Sequence, residues 1–383
     1  MKFNIFKILI PFVLSISVVN ASEIYNNNGQ KIDLYGFLEL KNSVSKNNVK
    51  VSEKYRDTAS NVILGIKGVT HIFDDIYGYA QLEYSLPINE VETSKNIHPS
   101  IHLGFIGIIF NHGNNSIDYG RNYGILYDVT SYMKKNSFFE KNFMYDKNDY
   151  FMFGRTNNLL TYRNRNFFGL MKGLDFALQY KNSDQNYDNN NKNYLENNRK
   201  GWGTSISYKL GNTGVSISGA YFNFLNIINK DKKVFSNADK NFNNKNKDIN
   251  TYSIGAKYQK NNIYLAAVFS GSYNGLKYMD YYENLFAHKI KNLEIVGQYK
   301  FDDNLRTTIS YTQSQGYDIP PGVNYAGGNI DLSKYILINT IYKFSKNFSA
   351  YVGYRISLLS NEYIKSNRIF NGNLLGIGIT YNF

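Results

Sequence analysis

The stretch Leu374-Leu375-Gly376-Ile377-Gly378-Ile379-Thr380-Tyr381-Asn382-Phe383 is a run of strict alternation. Leu375, Ile377, Ile379, Tyr381 and Phe383 take one phase; Leu374, Gly376, Gly378, Thr380 and Asn382 take the other. Successive side chains of a strand point to opposite faces, so a period of two sets an apolar face against a small or polar one. Upstream the pattern recurs. Phe348, Ala350, Val352, Tyr354 and Ile356 oppose Ser349, Tyr351, Gly353, Arg355 and Ser357. Tyr252, Ile254, Ala256 and Tyr258 oppose Ser253, Gly255, Lys257 and Gln259, and Trp202, Thr204, Ile206 and Tyr208 oppose Gly203, Ser205, Ser207 and Lys209.

Two architectures share this dyad: a soluble sandwich, and a barrel whose apolar face meets lipid. In lipid every backbone group must be paired internally, so a sheet must close. A transmembrane strand needs ~9–11 residues with aromatic girdles at its ends, and the alternating segments have that length. They number about sixteen, starting near Ile32, Ser60, Ile76, Ser100, Asn115, Asn158, Leu174, Trp202, Thr213, Ile249, Ile263, Asn292, Leu305, Lys334, Phe348 and Leu374. Short connections (Gly211–Asn212, Asn261–Asn262, Asp302–Asn304, Ser345–Asn347) alternate with long ones (Ser183–Gly201, Phe224–Asp248, Gly316–Ser333). Short turns at one end and long loops at the other mark a barrel. At this strand number the interior is an aqueous channel, so the expected class is a pore.

The first residues read as an export leader. Lys2 and Lys7 precede an apolar run, Ile8 to Val19, and Val19-Asn20-Ala21 supplies slim side chains before a cleavage point. The run is too short for a spanning helix, which needs ~20 residues. The expected division is therefore a leader at 1–21 and one barrel domain over 22–383.

Composition agrees. Hydrophobic residues make up 43% and mean hydropathy is −0.42, values that by themselves would suit a soluble protein. Yet 35 Tyr and 26 Phe against one Trp exceed what a soluble core demands, and 30 Gly against 5 Pro suit extended strands. The absence of cysteine excludes a disulfide framework and thiolate metal sites. The net charge of +13 falls to +11 when Lys2 and Lys7 leave with the leader. Those cations sit mostly in Asn-rich stretches such as Asn186–Lys200 and Asn229–Asn250, with no basic helix, so nucleic acid is not an expected partner. His71, His98, His102, His112 and His288 show no metal-ligand spacing, and no Gly-x-Ser-x-Gly elbow occurs. No catalytic residue, cofactor or metal is expected.

Several segments resemble the general porins of Gram-negative bacteria. They are Lys31-Ile32-Asp33-Leu34-Tyr35-Gly36, Ile117-Asp118-Tyr119-Gly120-Arg121-Asn122-Tyr123-Gly124, Thr161-Tyr162-Arg163-Asn164-Arg165-Asn166-Phe167-Phe168-Gly169-Leu170, Phe176-Ala177-Leu178-Gln179-Tyr180, and the terminal Phe383. The resemblance covers the mature chain. It implies an all-β fold: a 16-stranded antiparallel transmembrane β-barrel with an inward-folded third loop, assembled as a homotrimer in the outer membrane. It also implies contact with outer-membrane lipid and lipopolysaccharide, and recognition of Phe383 by the barrel assembly machinery. The implied function is passive diffusion of ions and small hydrophilic solutes. A sugar-selective porin, an adhesive or structural barrel, and a smaller enzyme barrel remain rivals.

In the family, acidic residues on the third loop face basic residues on the opposite wall. By resemblance the wall keeps Arg121 and Arg155, while two further basic positions fall on Phe37 and Ile63. The loop, about Gly124 to Tyr150, has Lys134 where an acid is expected, with Lys135 beside it; Glu140, Asp146 and Asp149 are its remaining acids. A charged constriction between low-dielectric walls focuses its field, so this composition predicts weak selectivity or a mild anion preference.

Overall fold

The computed structural model describes residues 22–45, 60–88, 99–134, 151–183, 200–225, 249–279, 284–319, 328–360 and 372–383. Sixteen strands pair antiparallel, each with the next, and the last returns to the first. They are β2 (Gln30–Ser45), β3 (Asn61–Phe73), β4 (Ile76–Pro87), β5 (Ser100–Phe110), β6 (Asn115–Tyr123), β7 (Arg155–Asn164), β8 (Leu174–Lys181) and β9 (Gly201–Lys209). The second half comprises β10 (Val215–Phe224), β11 (Ile249–Lys260), β12 (Ile263–Met279), β13 (Asn284–Lys300), β14 (Leu305–Ile319), β15 (Gly328–Lys343), β16 (Phe348–Ser357) and β17 (Leu374–Asn382). No described helix is long and apolar enough to cross a membrane; the strands cross instead.

Closure depends on the segment quoted first. β17 pairs with β2 from Leu374↔Ser45 to Asn382↔Phe37, and the Gly36 and Phe383 backbones exchange hydrogen bonds of 2.9 and 3.0 Å. A Cβ on Gly36 would lie 2.6 Å from the Phe383 ring and 2.5 Å from the Ile63 carbonyl, so only glycine lets the ring pack over the seam. A short β1 (Ser22–Asn27), which the alternation did not predict, folds back on the start of β2.

The two faces separate as the dyad requires. Ile106 is 72% exposed, and Ile254, Ile377, Leu265 and Trp202 also point outward without cover. Leaving that much apolar surface in water would cost about 25 cal/mol per Å², so lipid is its proper solvent. The opposite phase carries Ser205, Ser253, Ser270, Thr312 and Asn339, all turned inward and buried.

Connections also alternate. Short turns such as 74–75, 261–262 and 301–304 occupy one end, and the strand ends that flank the longer connections, such as Tyr123 with Arg155 and Lys181 with Gly201, lie at the other. Asn261 takes φ +53°, a left-handed value that asparagine tolerates. In the last of the expected long connections the structure differs. Residues 316–319 and 328–333 are strand, with Gly316 paired to Ile330 and Ile319 to Gly328. Likewise β13 begins at Asn284, ahead of Asn292. At 17 residues β12 and β13 exceed the ~9–11 needed to span, so their polar ends continue the ladder past the apolar belt.

Candidate functional site

The inner wall is narrowed first by the chain itself. At the end of β6 the pairing with β7 slips between Gly120 and Asn122. Gly120 has φ +142°, and a Cβ there would lie 2.3 Å from the Gly104 carbonyl. The slip ends the strand, and Gly124 N–H bonds to the Gly154 carbonyl at 2.7 Å, tying the two ends of the 124–154 segment into a neck. A helical turn (Tyr127–Thr130) and a 3-10 turn (Ser131–Met133) follow.

These turns lie against inward side chains of the wall. Ile125 packs at Gly203 and Val129 at Gly255, where the missing Cβ atoms leave room. The Ile125 N–H donates to Gln179 Oε1 at 2.7 Å, while Gln179 Nε2 donates to the Tyr123 carbonyl (3.0 Å) and to Thr161 Oγ1 (2.9 Å). Asp128 accepts from Arg163 Nη1 (2.8 Å) and Ser205 Oγ (2.6 Å). Tyr264 donates to the Tyr132 carbonyl at 2.7 Å, and Lys257 sits 4.3 Å from the Tyr132 ring. The clamp predicts that Gln179→Ala, which strands a buried N–H and C=O, costs about 1–3 kcal/mol. A lower temperature for loss of the folded, heat-modifiable band on gels is the expected readout.

Across the neck lies a charged cluster on β2 to β7. Glu83, 4% exposed, is its centre. Its Oε2 accepts from the Tyr35 hydroxyl (2.9 Å), and its Oε1 faces His102 Nδ1 (3.2 Å) and Arg155 Nη1 (3.8 Å). Gln81 donates to the Tyr35 oxygen at 2.6 Å, and Lys67 lies 4.5 Å from the Tyr35 ring. Beside it Tyr123 and Tyr127 stack at 4.0 Å, and Lys134 caps them, 4.1 Å from the Tyr127 ring and 5.5 Å from that of Tyr123. Burial pushes the Tyr127 phenol well above its usual value, so it stays neutral and presents its ring face to the ammonium.

Among the residues expected from sequence, Arg155 is brought next to Glu83, and Lys134 rests on the stacked Tyr123–Tyr127 pair. Phe37 and Ile63 are direct cross-strand partners in the inward phase, forming an apolar step beside Tyr35 and Glu39. Arg121 follows the outward Ile117 and Tyr119 at the slipped position; its Nε donates to the Ile101 carbonyl (2.7 Å) and its Nη1 to Asn157 Oδ1 (2.8 Å). Lys135, Glu140, Asp146 and Asp149 lie outside the described residues. Sequence reading missed Glu83, His102, Lys67 and the Asp128–Arg163 pair. An inward phase running Tyr79, Gln81, Glu83, Ser85 would have flagged Glu83 as a buried wall acid. No described cluster of His, Asp and Glu has metal-site geometry.

A closed sheet with lipid-facing apolar side chains and a charge-lined interior defines a transmembrane channel of the outer-membrane type. The sequence profile described as Gram-negative porin matches residues 27–383. Outer membrane protein F of Serratia marcescens is 39% identical over the whole of both chains, and a porin-like protein of Buchnera aphidicola subsp. Schizaphis graminum is 35% identical over 98% of each. The solved structure of Salmonella typhi OmpF in complex with daunomycin superposes with a TM-score of 0.78 at 34% identity, covering 94% of this chain and all of that one. This chain belongs to the Gram-negative porin family. It is a multi-pass outer-membrane protein whose barrel forms a passive diffusion channel, and both family and fold point to a channel rather than an enzyme.

Proposed function

We propose that the pore is a weakly selective, mildly anion-preferring diffusion channel, narrowed by the segment that begins at Gly124. The observation that carries this reading is the seating of residues 125–134 against inward side chains of β7 to β12, with Lys134 held over the Tyr123–Tyr127 pair. In this reading the segment continues through Lys135 and Glu140 into the lumen as a constriction loop. Arg155, Lys134, Lys135 and Arg121 supply positive charge, Glu140 supplies negative charge, and Phe37 and Ile63 form an apolar step. With Glu83 already surrounded by cations, the field at the narrowing favours anions.

The assembly is a homotrimer, a reading supported by a family match that spans nearly the whole chain. Residues 1–21 act as the cleaved leader and Phe383 as the signal to the assembly machinery. The outer belt contacts lipid and lipopolysaccharide. Outward Lys289 and Lys291, placed 4.9 Å and 5.2 Å from the rings of Tyr273 and Tyr317, suit anionic headgroups.

Purified protein in a planar bilayer under a salt gradient tests the reading. Steps in groups of three with a weak anion-side reversal potential are expected. Lys134→Glu should move that potential toward cation preference, by up to about 10 mV if one focused charge decides it. An unmoved potential would remove Lys134 from the constriction.

A further inference from the structure

We infer that His102 is a selectivity-determining residue whose protonation sets the ionic preference of the pore, making the channel more anion-selective below neutral pH than above it. This rests on the diffusion-channel reading, because a charge on the wall matters only if ions pass it.

Geometry comes first. By simple alternation with Leu103, Gly107 and Ile109, which are buried on the inner phase, His102 should face lipid. The β4–β5 pairing slips at this point: Glu83 pairs with Leu103, but Tyr84 pairs with Ile101. The slip leaves one residue of β5 without a partner and turns its imidazole to the inner wall, 3.2 Å from Glu83. A β-bulge re-aims a side chain in this way.

The surroundings decide what that imidazole does. From β4 it faces Glu83, from β7 Arg155, and from β6 Arg121, with Tyr35 of β2 and Lys67 of β3 on the far side of the same carboxylate. Tyr123 at the end of β6 and Tyr127 of the 124–154 segment, with Lys134 over their rings, border the same Glu83 and Arg155. Histidine is the side chain that changes charge between about pH 5 and 8. At high pH, Glu83 is balanced mainly by Arg155, 3.8 Å away. Protonated His102 adds a second cation at the same oxygen, on a carboxylate that also acts on the Lys67 ammonium. The local excess then becomes more positive by one elementary charge in a channel whose low-dielectric wall focuses it. The slip thereby converts a fixed wall charge into a variable one, with no movement of the barrel required.

The experiment is the zero-current potential of single channels under a tenfold KCl gradient, at pH 8 and pH 5, for wild type, His102→Gln and His102→Arg. Wild type is expected to raise its chloride-over-potassium permeability ratio by about two-fold on acidification, as expected for one focused charge. His102→Gln should hold the pH 8 ratio at both values, and His102→Arg the pH 5 ratio at both. The two variants bracket the histidine sterically and electrically, so a packing effect common to both cannot imitate the result. Wild-type steps with a pH-invariant potential would overturn the inference and leave the pore intact. A full pH shift retained in His102→Gln would overturn it too, assigning the titration elsewhere. Absence of conductance in wild type would overturn the pore reading, and the inference with it.

Discussion

Gly120→Ala is expected to abolish the folded barrel, whereas Gly68→Ala is expected to fold as wild type does. Both glycines lie in or beside strands, yet their surroundings differ. A Cβ on Gly68 meets nothing within 4 Å. One on Gly120 meets the Gly104 carbonyl at 2.3 Å and the Phe105 Cα at 2.7 Å, backbone atoms held in the β5–β6 ladder. Its φ of +142° is closed to L residues at a cost of about 1–3 kcal/mol before any collision is counted. Relief would require β5 and β6 to part, and with them the neck at Gly124 and Gly154. Heat-modifiable mobility and protease resistance after refolding in detergent read the outcome. A Gly120→Ala barrel with wild-type mobility would show that the slip tolerates a side chain and that the neck is set elsewhere.

The second large effect concerns Asp128. Asp128→Ala should both destabilise the protein and enlarge the pore. Its carboxylate is the acceptor shared by Arg163 and Ser205, and it anchors the helical turn to β7 and β9. Removing it takes away the carboxylate bonded to the Arg163 guanidinium and leaves the more distant charge of Asp118, a loss of roughly 3 kcal/mol for a pair of this kind. The turn loses its only charged tether among the described residues, so single-channel conductance should rise while voltage-driven closures become more frequent. Asp128→Asn keeps an acceptor and should fall between. A double-mutant cycle with Arg163→Ala isolates the pair: coupling near zero would show that apolar packing of Ile125, Val129 and Met133 alone holds the segment.

Much of this architecture can be read from residues. Period two sorts Ile377 from Gly378 and Trp202 from Gly203, so the faces of nearly every strand follow from the alternation, and nine of the sixteen expected starts coincide with observed ones. The misses share a cause. β13 and β15 begin in polar stretches, Asn284–Lys291 and Gly328–Ser333, where backbone pairing continues although no lipid demands apolar side chains. Alternation detects the membrane, and there the ladder extends past it. The site was less legible for a related reason. Arg155, Phe37 and Ile63 were found through resemblance, whereas His102 reaches the wall through the slip opposite Glu83. A slip reverses the phase that alternation relies on, and no local residue pattern announces it. Lys134 was legible as a charge but not as a position, because its place depends on stacked Tyr123 and Tyr127.

The seam between Gly36 and Phe383 has a bearing on how the molecule comes into being. The two residues that shut the ring lie on the first and last strands of the barrel, so closure waits until β17 has been made. Bringing such distant points together costs little more than joining points half as far apart, about 0.6 kcal/mol per doubling. The burden is kinetic: the β2–β17 seam has the largest sequence separation of the described ladders, and such non-local pairings form slowly. Until the last strand arrives, β2 and β17 are raw edges able to recruit any passing strand, including those of a sister chain. The vulnerable period of such a barrel ends when β17 docks on β2.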